Sequence, residues 1–430
     1  MRYFGKAYRA NGRRPLVCVA APTPTTVRNW PRAKISNVVT AERAASARPD
    51  PVFLPATAAA RGKPFVPALI YLGVRAVGVI VLTVAAGGRL TDRLTAWDGQ
   101  WYLRIAATGY DLDPVPDAHG HLNPFTPRAF FPGYPVLIRW TDAVTGVGGT
   151  TSALLVAGIS GLFAAYGLAR LGRLVRGGSP RAGYLLVALF AAAPMGVALS
   201  MAYTEALFCA LAVWALVGVL ERRFVLAGVC CAAAGLVRSS ALALAIAVGL
   251  AALAYVPRER RRAAAAVVLA PLGLVGYLWW TGLRVRPDTG FVERLGTWAD
   301  LEWQGWSTKF DGGVATARFL WQGLHSGDAM TVLTVAVILG YLVLLAVAVR
   351  QRLEWPLLVY AAGVLVMSLE SSGLMHAKPR LLLPAFTLLV SVAIGLANRR
   401  RSTAVLTVAG AALVSAWFDA YALTVWKYAI

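Results

Sequence analysis

The run MTVLTVAVILGYLVLLAVAV, residues 330–349, decides the class of structure, because it is an unbroken stretch of uncharged residues. At about 1.5 Å per residue, a helix of this length covers about 30 Å, which is the thickness of the hydrocarbon core of a bilayer. Lipid offers no water to pair with backbone N–H and C=O groups, so an apolar run of this length must be helical. The run therefore predicts a transmembrane helix between Asp328 and Arg350.

Similar runs recur along most of the chain. Hydrophobic residues make up 58% of the sequence and charged residues only 14%, whereas soluble domains carry about 25% charged residues. The runs are continuous rather than alternating, which favours helices over a transmembrane barrel. The sequence therefore predicts an all-α polytopic membrane protein of about eleven transmembrane helices. The predicted spans are 65–86, 150–171, 182–201, 204–220, 223–237, 239–256, 263–283, 328–349, 355–371, 380–397 and 403–424.

The distribution of positive charge predicts the orientation of these helices. The formal net charge is +22, and the basic residues stand in short clusters between apolar runs. This pattern indicates the positive-inside rule rather than a nucleic-acid-binding face, so nucleic acid is excluded as a partner. Residues 1–64 are basic and rich in Pro and Ala, and we interpret them as a disordered cytoplasmic tail ahead of a membrane domain, 65–430.

With the tail in the cytoplasm, every arginine-rich loop falls on the cytoplasmic side. The opposite side receives two long loops, residues 87–149 and 284–327. The sequence thus predicts a multi-pass protein of the plasma membrane whose chemistry takes place on the extracytoplasmic face.

The first external loop begins with WDGQWYLRIAATGY, residues 97–110. Asp98 is a candidate catalytic base, because a carboxylate beside aromatic rings is partly removed from water and becomes more basic. Asp98 could instead be the N-cap of the helix that follows it. The other candidates in this motif are Arg104 for binding phosphate, and Trp97, Trp101 and Tyr102 for binding substrate.

Further ionisable residues stand at the external ends of predicted spans, where charge is costly and is typical of function. Arg238, Lys378 and Arg380 are candidates to bind a phosphate, and Glu205 and His376 are candidates to bind substrate. Two structural alternatives remain open. Glu205 and Arg238 could form an ion pair between helices, and Lys378 and Arg380 could extend to the interface.

Tryptophan is concentrated in the two external loops. An aromatic belt at head-group depth accounts for part of this pattern. Clustering with charged and amide residues favours a platform for a sugar or a lipid head group, with Gln304 and Trp306 as the candidates in the second loop.

Carboxylates and histidines in the first loop raise the question of a metal. Asp111 and Asp113 are spaced as ligands of a divalent cation could be, and His119 and His121 follow. A solvated loop explains these residues equally well, and arginines can neutralise a phosphate leaving group without a metal. We therefore predict no metal and no cofactor.

Taken together, a carboxylate and several cations converge on one side of a lipid-embedded bundle. A lipid donor linked through a phosphodiester would require this combination, because arginines stabilise the leaving phosphate while a carboxylate activates an acceptor hydroxyl.

Four motifs resemble those of PIG-V-type mannosyltransferases, and they occur in the order of that family. The first is WDGQWYLRIAATGY with AFFPGYPVLIR, residues 97–110 and 129–139, and the others are AYTEALF, VRSSA and PRLLLPAFTLL, residues 202–208, 237–241 and 379–389. Ser240 and Ala241 stand where the family commonly has Asn and Gly, and Leu382 also departs from it. Because of these departures, the resemblance indicates the class of sugar donor more specifically than the identity of the acceptor.

The resemblance implies a GT-C fold and an inverting transfer of a sugar, mannose above all, from a polyprenyl phosphate to a lipid or glycan acceptor. It also implies that Asp98 is the base and that Arg238 and Arg380 bind the donor phosphate. The main alternative is a membrane transporter or lipid flippase, which also needs buried charge. The sequence shows no clear internal repeat of the kind common in transporters, and its polar residues gather at one face, which favours an enzyme.

Overall fold

The computed structural model describes residues 63–110 and 126–426, and this part of the chain is almost entirely helical. Its α-helices, numbered in chain order, are α1 Val66–Ala86, α2 Leu90–Leu94, α3 Asp98–Thr108, α4 Gly133–Thr145, α5 Gly149–Leu174, α6 Pro180–Ala191, α7 Glu205–Leu220, α8 Phe224–Gly235, α9 Ala241–Tyr255, α10 Arg260–Val285, α11 Phe291–Trp306, α12 Val314–Gly323, α13 Ala329–Arg350, α14 Trp355–Leu369, α15 Lys378–Leu381, α16 Leu389–Ala397 and α17 Arg401–Thr424. Short 3-10 turns lie at Pro127–Ala129, Gly196–Leu199, Met375–Ala377 and Leu383–Leu388. The all-α prediction is confirmed.

Five of these helices, α1, α5, α10, α13 and α17, are long and apolar enough to cross a bilayer. A sixth candidate is the segment from Met375 to Ala397, which bends by 51° at its break. The other predicted spans coincide with α6, α7, α8, α9 and α14, which are apolar but shorter. Length and composition thus support five or six spans in the described residues. The count of about eleven and the orientation in the membrane stay predictions, as does the basic tail, of which only residues 63 and 64 are described.

The predicted span 182–201 is wrong in its second half, because α6 already ends at Ala191. Pro194 has no backbone N–H to continue the helical ladder, and it disfavours the helical conformation of the residue before it. The chain then follows an irregular path, with one 3-10 turn, until α7 begins at Glu205. This irregular segment, residues 192–204, is almost entirely buried.

Polar side chains from the first and last spans form hydrogen bonds with polar groups at and within the irregular segment. Arg75 of α1 donates hydrogen bonds to the carbonyl oxygen of Ala191 and to Oγ of Ser200, both at 3.0 Å. Asp419 of α17 lies 3.9 Å from the same guanidinium group. Because both side chains are buried, removing either one would leave a charge without a partner. The pair therefore fixes a segment that leads directly into the functional site.

The start of α4 packs against the end of α8. Gly133 at the start of α4 donates a 2.7 Å hydrogen bond to the carbonyl oxygen of Leu236. A Cβ atom at Gly133 would lie 2.8 Å from that oxygen, so only glycine allows this approach. The contact places the first loop beside Arg238, two residues further along the chain.

Helices α8 and α10 cross at two glycines. A Cβ atom at Gly273 would lie 1.8 Å from the carbonyl oxygen of Ala232, and one at Gly235 would lie 2.4 Å from the backbone nitrogen of Leu274. The backbones are therefore in direct contact, and this contact fixes the end of α8 from which Arg238 follows.

We expect Gly273→Ala to destabilise the protein by about 1–3 kcal/mol, because a backbone clash cannot be relieved by rotating a side chain. Gly276→Ala is the matched control, since it lies on the same helix and its Cβ would meet nothing within 4 Å. Thermal unfolding in detergent, followed by tryptophan fluorescence, measures the difference. Equal midpoints for the two variants would contradict the close crossing of α8 and α10.

Candidate active site

A cavity of about 820 Å³ opens between the two external loops and the ends of the apolar helices. Residues of α3, of the turn at Pro127–Ala129, of the link between α8 and α9, of α11, and of the segment from α14 to α15 line it. Asp98, Arg238, Lys378 and Arg380 are all among these residues. Segments that are far apart in sequence therefore meet in one place, as the sequence predicted.

Asp98 is the first residue of α3, and it forms no cap on that helix. Trp97 occupies the N-cap position, with φ of 50° and no side-chain capping hydrogen bond. The Asp98 side chain instead accepts a 2.6 Å hydrogen bond at Oδ2 from Nη1 of Arg380. The alternative interpretation of Asp98 as an N-cap is therefore wrong. Its side chain is 28% exposed, so it remains accessible from the cavity.

Glu205 joins the two arginines beneath the cavity. Its Oε1 accepts a 2.5 Å hydrogen bond from Nη1 of Arg238 and lies 3.5 Å from Nε of Arg380. The carboxylate is 1% exposed and stands in the first turn of α7, where the N-terminal end of the helix dipole favours negative charge. The ion pair that the sequence left open is thus present, and it includes a second arginine.

Two further contacts orient the arginines. Nη1 of Arg238 donates to Oγ1 of Thr204 at 3.0 Å. The guanidinium group of Arg380 lies over the ring of Tyr203, 4.8 Å from its centre, in a cation–π arrangement. Both arginine side chains are largely buried, so the alternative in which Arg380 extends to the interface is wrong.

Lys378 is also buried, and the same alternative is wrong for it. Its Nζ donates to the carbonyl oxygens of Ser368 and Ser371, at 2.6 and 2.8 Å. These carbonyls belong to the C-terminal end of α14 and the loop after it, where a cation is favourable. Lys378 lines the cavity, and these two hydrogen bonds hold its ammonium group against the backbone.

Aromatic side chains form a wall of the cavity. Phe130 is stacked on Trp101 at 5.4 Å between ring centres, and Trp306 meets Phe130 edge-on at the same distance. Tyr102 contacts Phe130 edge-on at 5.3 Å. The wall thus combines rings of α3 and of the turn after Pro127–Ala129 with a ring of α11.

Several predicted residues lie elsewhere. His376 contacts Oγ1 of Thr331 at 3.0 Å through Nε2, and its ring packs against Phe319 and Trp426. Gln304 and Arg104 are exposed, and Arg104 lies over the Trp101 ring at 5.8 Å. The predicted residues without a place in the cavity lining are Trp97, Trp101, Arg104, Glu205, Gln304 and His376. Trp101 still supports the wall through Phe130.

Glu302 was not among the predicted site residues, and it lines the cavity from α11. Burial raises the pKa of its carboxyl group to about 8, and the nearby charge of Asp98 contributes to this rise, whereas Arg238 opposes it. Its place in the tryptophan-rich run LEWQGW, residues 301–306, is the only signal that could have identified it from the sequence.

In the described residues, no three His, Cys, Asp or Glu side chains are grouped so that they could hold a metal ion. Asp111, Asp113, His119 and His121, which raised that question in the sequence, lie outside the described residues.

Comparison with known proteins relates the fold to a solved structure. No family model matches the chain, and no curated protein matches it. The structure of ArnT from Cupriavidus metallidurans, solved with undecaprenyl phosphate bound, matches with a TM-score of 0.51 at 19% sequence identity. The match covers 82% of this chain and 64% of the ArnT chain, so this protein spans less than two thirds of its neighbour's length.

At this level of identity, the likeness establishes the architecture and nothing finer. The link to PIG-V-type enzymes stays a resemblance of motifs. The described part of this chain is all-α, carries helices long and apolar enough to cross a membrane, and shares its overall fold with ArnT.

Proposed function

We propose that the protein is a membrane glycosyltransferase that moves a sugar from a polyprenyl phosphate to a hydroxyl group of a lipid or glycan acceptor. The observation that carries the proposal is the cluster of Asp98, Arg380, Glu205 and Arg238 at an open cavity. The likeness in fold to a protein that binds undecaprenyl phosphate supports the same class of donor. The motif resemblance favours mannose as the sugar and inversion at its anomeric carbon.

The two arginines provide the site for the donor phosphate. Guanidinium groups bind phosphate oxygens through paired N–H donors and stabilise the charge that develops as the sugar leaves. Glu205 holds both arginines from behind the cavity and is itself buried, so it is a positioning residue. The proposal assigns the leaving-group charge to these arginines, and it requires no metal ion.

Asp98 provides the base. The donor phosphate would compete with Asp98 for Arg380, since both are anions and Arg380 lines the cavity. Binding of the donor would thus release the Asp98 carboxylate to accept the proton of the acceptor hydroxyl as that oxygen attacks the anomeric carbon. The charge pattern of the sequence places this reaction on the extracytoplasmic face of the plasma membrane.

We expect Asp98→Asn to abolish transfer, by about 10²-fold or more, because the amide cannot accept the proton. The test incubates detergent-purified protein with labelled polyprenyl-phosphate-mannose and a membrane lipid extract, and it identifies the labelled product. Asp92→Asn is the matched control, since Asp92 is exposed in the same external loop. Near-normal turnover of Asp98→Asn would remove Asp98 from the mechanism. Absence of any product from the wild type with several polyprenyl-phosphate sugars would overturn the proposed function, and movement of lipid without transfer would favour a flippase.

We expect Arg238→Ala to weaken the use of the donor more than the use of the acceptor, because it removes one of two phosphate-binding guanidinium groups. Separate titrations of polyprenyl-phosphate-mannose and of the acceptor measure the two KM values. Arg139→Ala, at an exposed arginine of α4, is the control. Equal changes in both KM values would give Arg238 a purely structural role in the pair with Glu205.

A further inference from the structure

Glu302 differs from the other acids at the cavity in lacking a cationic partner. Among residues 63–110 and 126–426, no hydrogen bond or ion pair engages its carboxyl group. Asp98 is paired with Arg380 at 2.6 Å, and Asp300 is paired with Arg286 at 2.7 Å. Within the described residues Glu302 therefore has no ion-pair partner, although the charge of Arg238 acts on it from within the cavity and opposes the rise in its pKa.

The surroundings of Glu302 favour the neutral form. It is partly buried, and Trp298, Trp303 and Trp306 line the same cavity. Burial, aided by the charge of Asp98, raises its pKa to about 8. The charged groups that share the cavity with it are Asp98, Arg238, Asp300, Lys309, Lys378 and Arg380.

When the environments of two carboxyl groups in one site give them different pKa values, one of them commonly acts as the acid and the other as the base. Here the division follows from the partners. Asp98, which the donor phosphate would release from Arg380, suits the base, while Glu302, without an ion-pair partner among the described residues, keeps its proton and suits the acid. An ionised Glu302 would also repel the phosphate of a bound donor, whereas a protonated one can donate a hydrogen bond to it.

We propose that Glu302 is a further catalytic residue, the general acid that gives its proton to the departing lipid phosphate. This inference rests on the proposed function. The acceptor oxygen forms a bond to the anomeric carbon, and the bond from that carbon to the phosphate oxygen breaks with its electron pair on the oxygen. The hydroxyl proton passes to Asp98, and the Glu302 proton passes to the phosphate oxygen. Return of one proton from Asp98 to Glu302, directly or through water, restores the site.

The acid role gives a defined dependence on pH. Glu302 is protonated below its pKa and loses the proton above it, so kcat/KM falls as the pH rises through about 8. We expect Glu302→Gln to lower kcat by about 10²-fold or more and to remove this alkaline limb. Release of polyprenyl phosphate from polyprenyl-phosphate-mannose, measured between pH 6 and 10 with acceptor present, gives both quantities.

Glu293→Gln is the matched control, because Glu293 lies exposed on the same helix and outside the cavity. It is expected to keep the wild-type rate and the alkaline limb. Glu302→Asp keeps a carboxylic acid on a shorter side chain, so it should recover part of the rate and retain the limb, which a merely structural role would not produce. Thermal unfolding in detergent checks that each variant is folded.

The proposal is overturned if Glu302→Gln retains a rate within twofold of the wild type, or if its remaining activity keeps the alkaline limb. It is also overturned if Glu302→Asp behaves as Glu302→Gln while remaining folded. None of these results affects the proposed function, which fails only if the wild type transfers no sugar.

Discussion

The site depends on one buried carboxylate, that of Glu205, placed between two arginines. Two guanidinium groups close together in an apolar bundle repel each other, and each is costly to remove from water. Glu205 offsets both costs, since it lies 2.5 Å from Arg238 and 3.5 Å from Arg380. Asp98 then balances the second arginine from the cavity side. The four charges sum to zero when ionised, and this neutrality allows them to persist inside the protein.

The irregular segment before Glu205 follows from the same requirement. A continuous helix through residues 182–201 would leave no unwound backbone to bring Tyr203, Thr204 and Glu205 to the two arginines. Pro194 ends the helix, and Arg75 of the first span holds the unwound chain through the Ala191 carbonyl and Ser200. Irregular backbone at membrane depth is tolerated where it is buried in protein, which is the case here.

The cavity combines two kinds of surface. Arginines and carboxyl groups line it together with the rings of Phe130, Trp298 and Trp306, and the proposed lipid-linked sugar would need both. In the proposed reaction, the environments of Asp98 and Glu302 separate their roles, because only the first has a cationic partner in the described structure. The fold is shared with ArnT, while the sugar and the acceptor of the proposed reaction depend on residues that fold likeness does not address.

The sequence alone was sufficient for the helical class, the membrane environment and four of the residues that meet at the site, Asp98, Glu205, Arg238 and Arg380. The hydropathy of a segment indicates whether lipid or water surrounds it. A charged residue inside an apolar run is a candidate for function because charge is costly there. The sequence offered the Glu205–Arg238 pair as an alternative, but it could not predict the pair of Asp98 and Arg380, which are 282 residues apart and meet only when distant helices pack. Packing also determined that His376 faces Thr331, that Lys378 binds backbone carbonyls, and that Glu302 enters the cavity. The local sequence of a loop does not indicate which way a side chain faces, because the packing of the tertiary structure determines it.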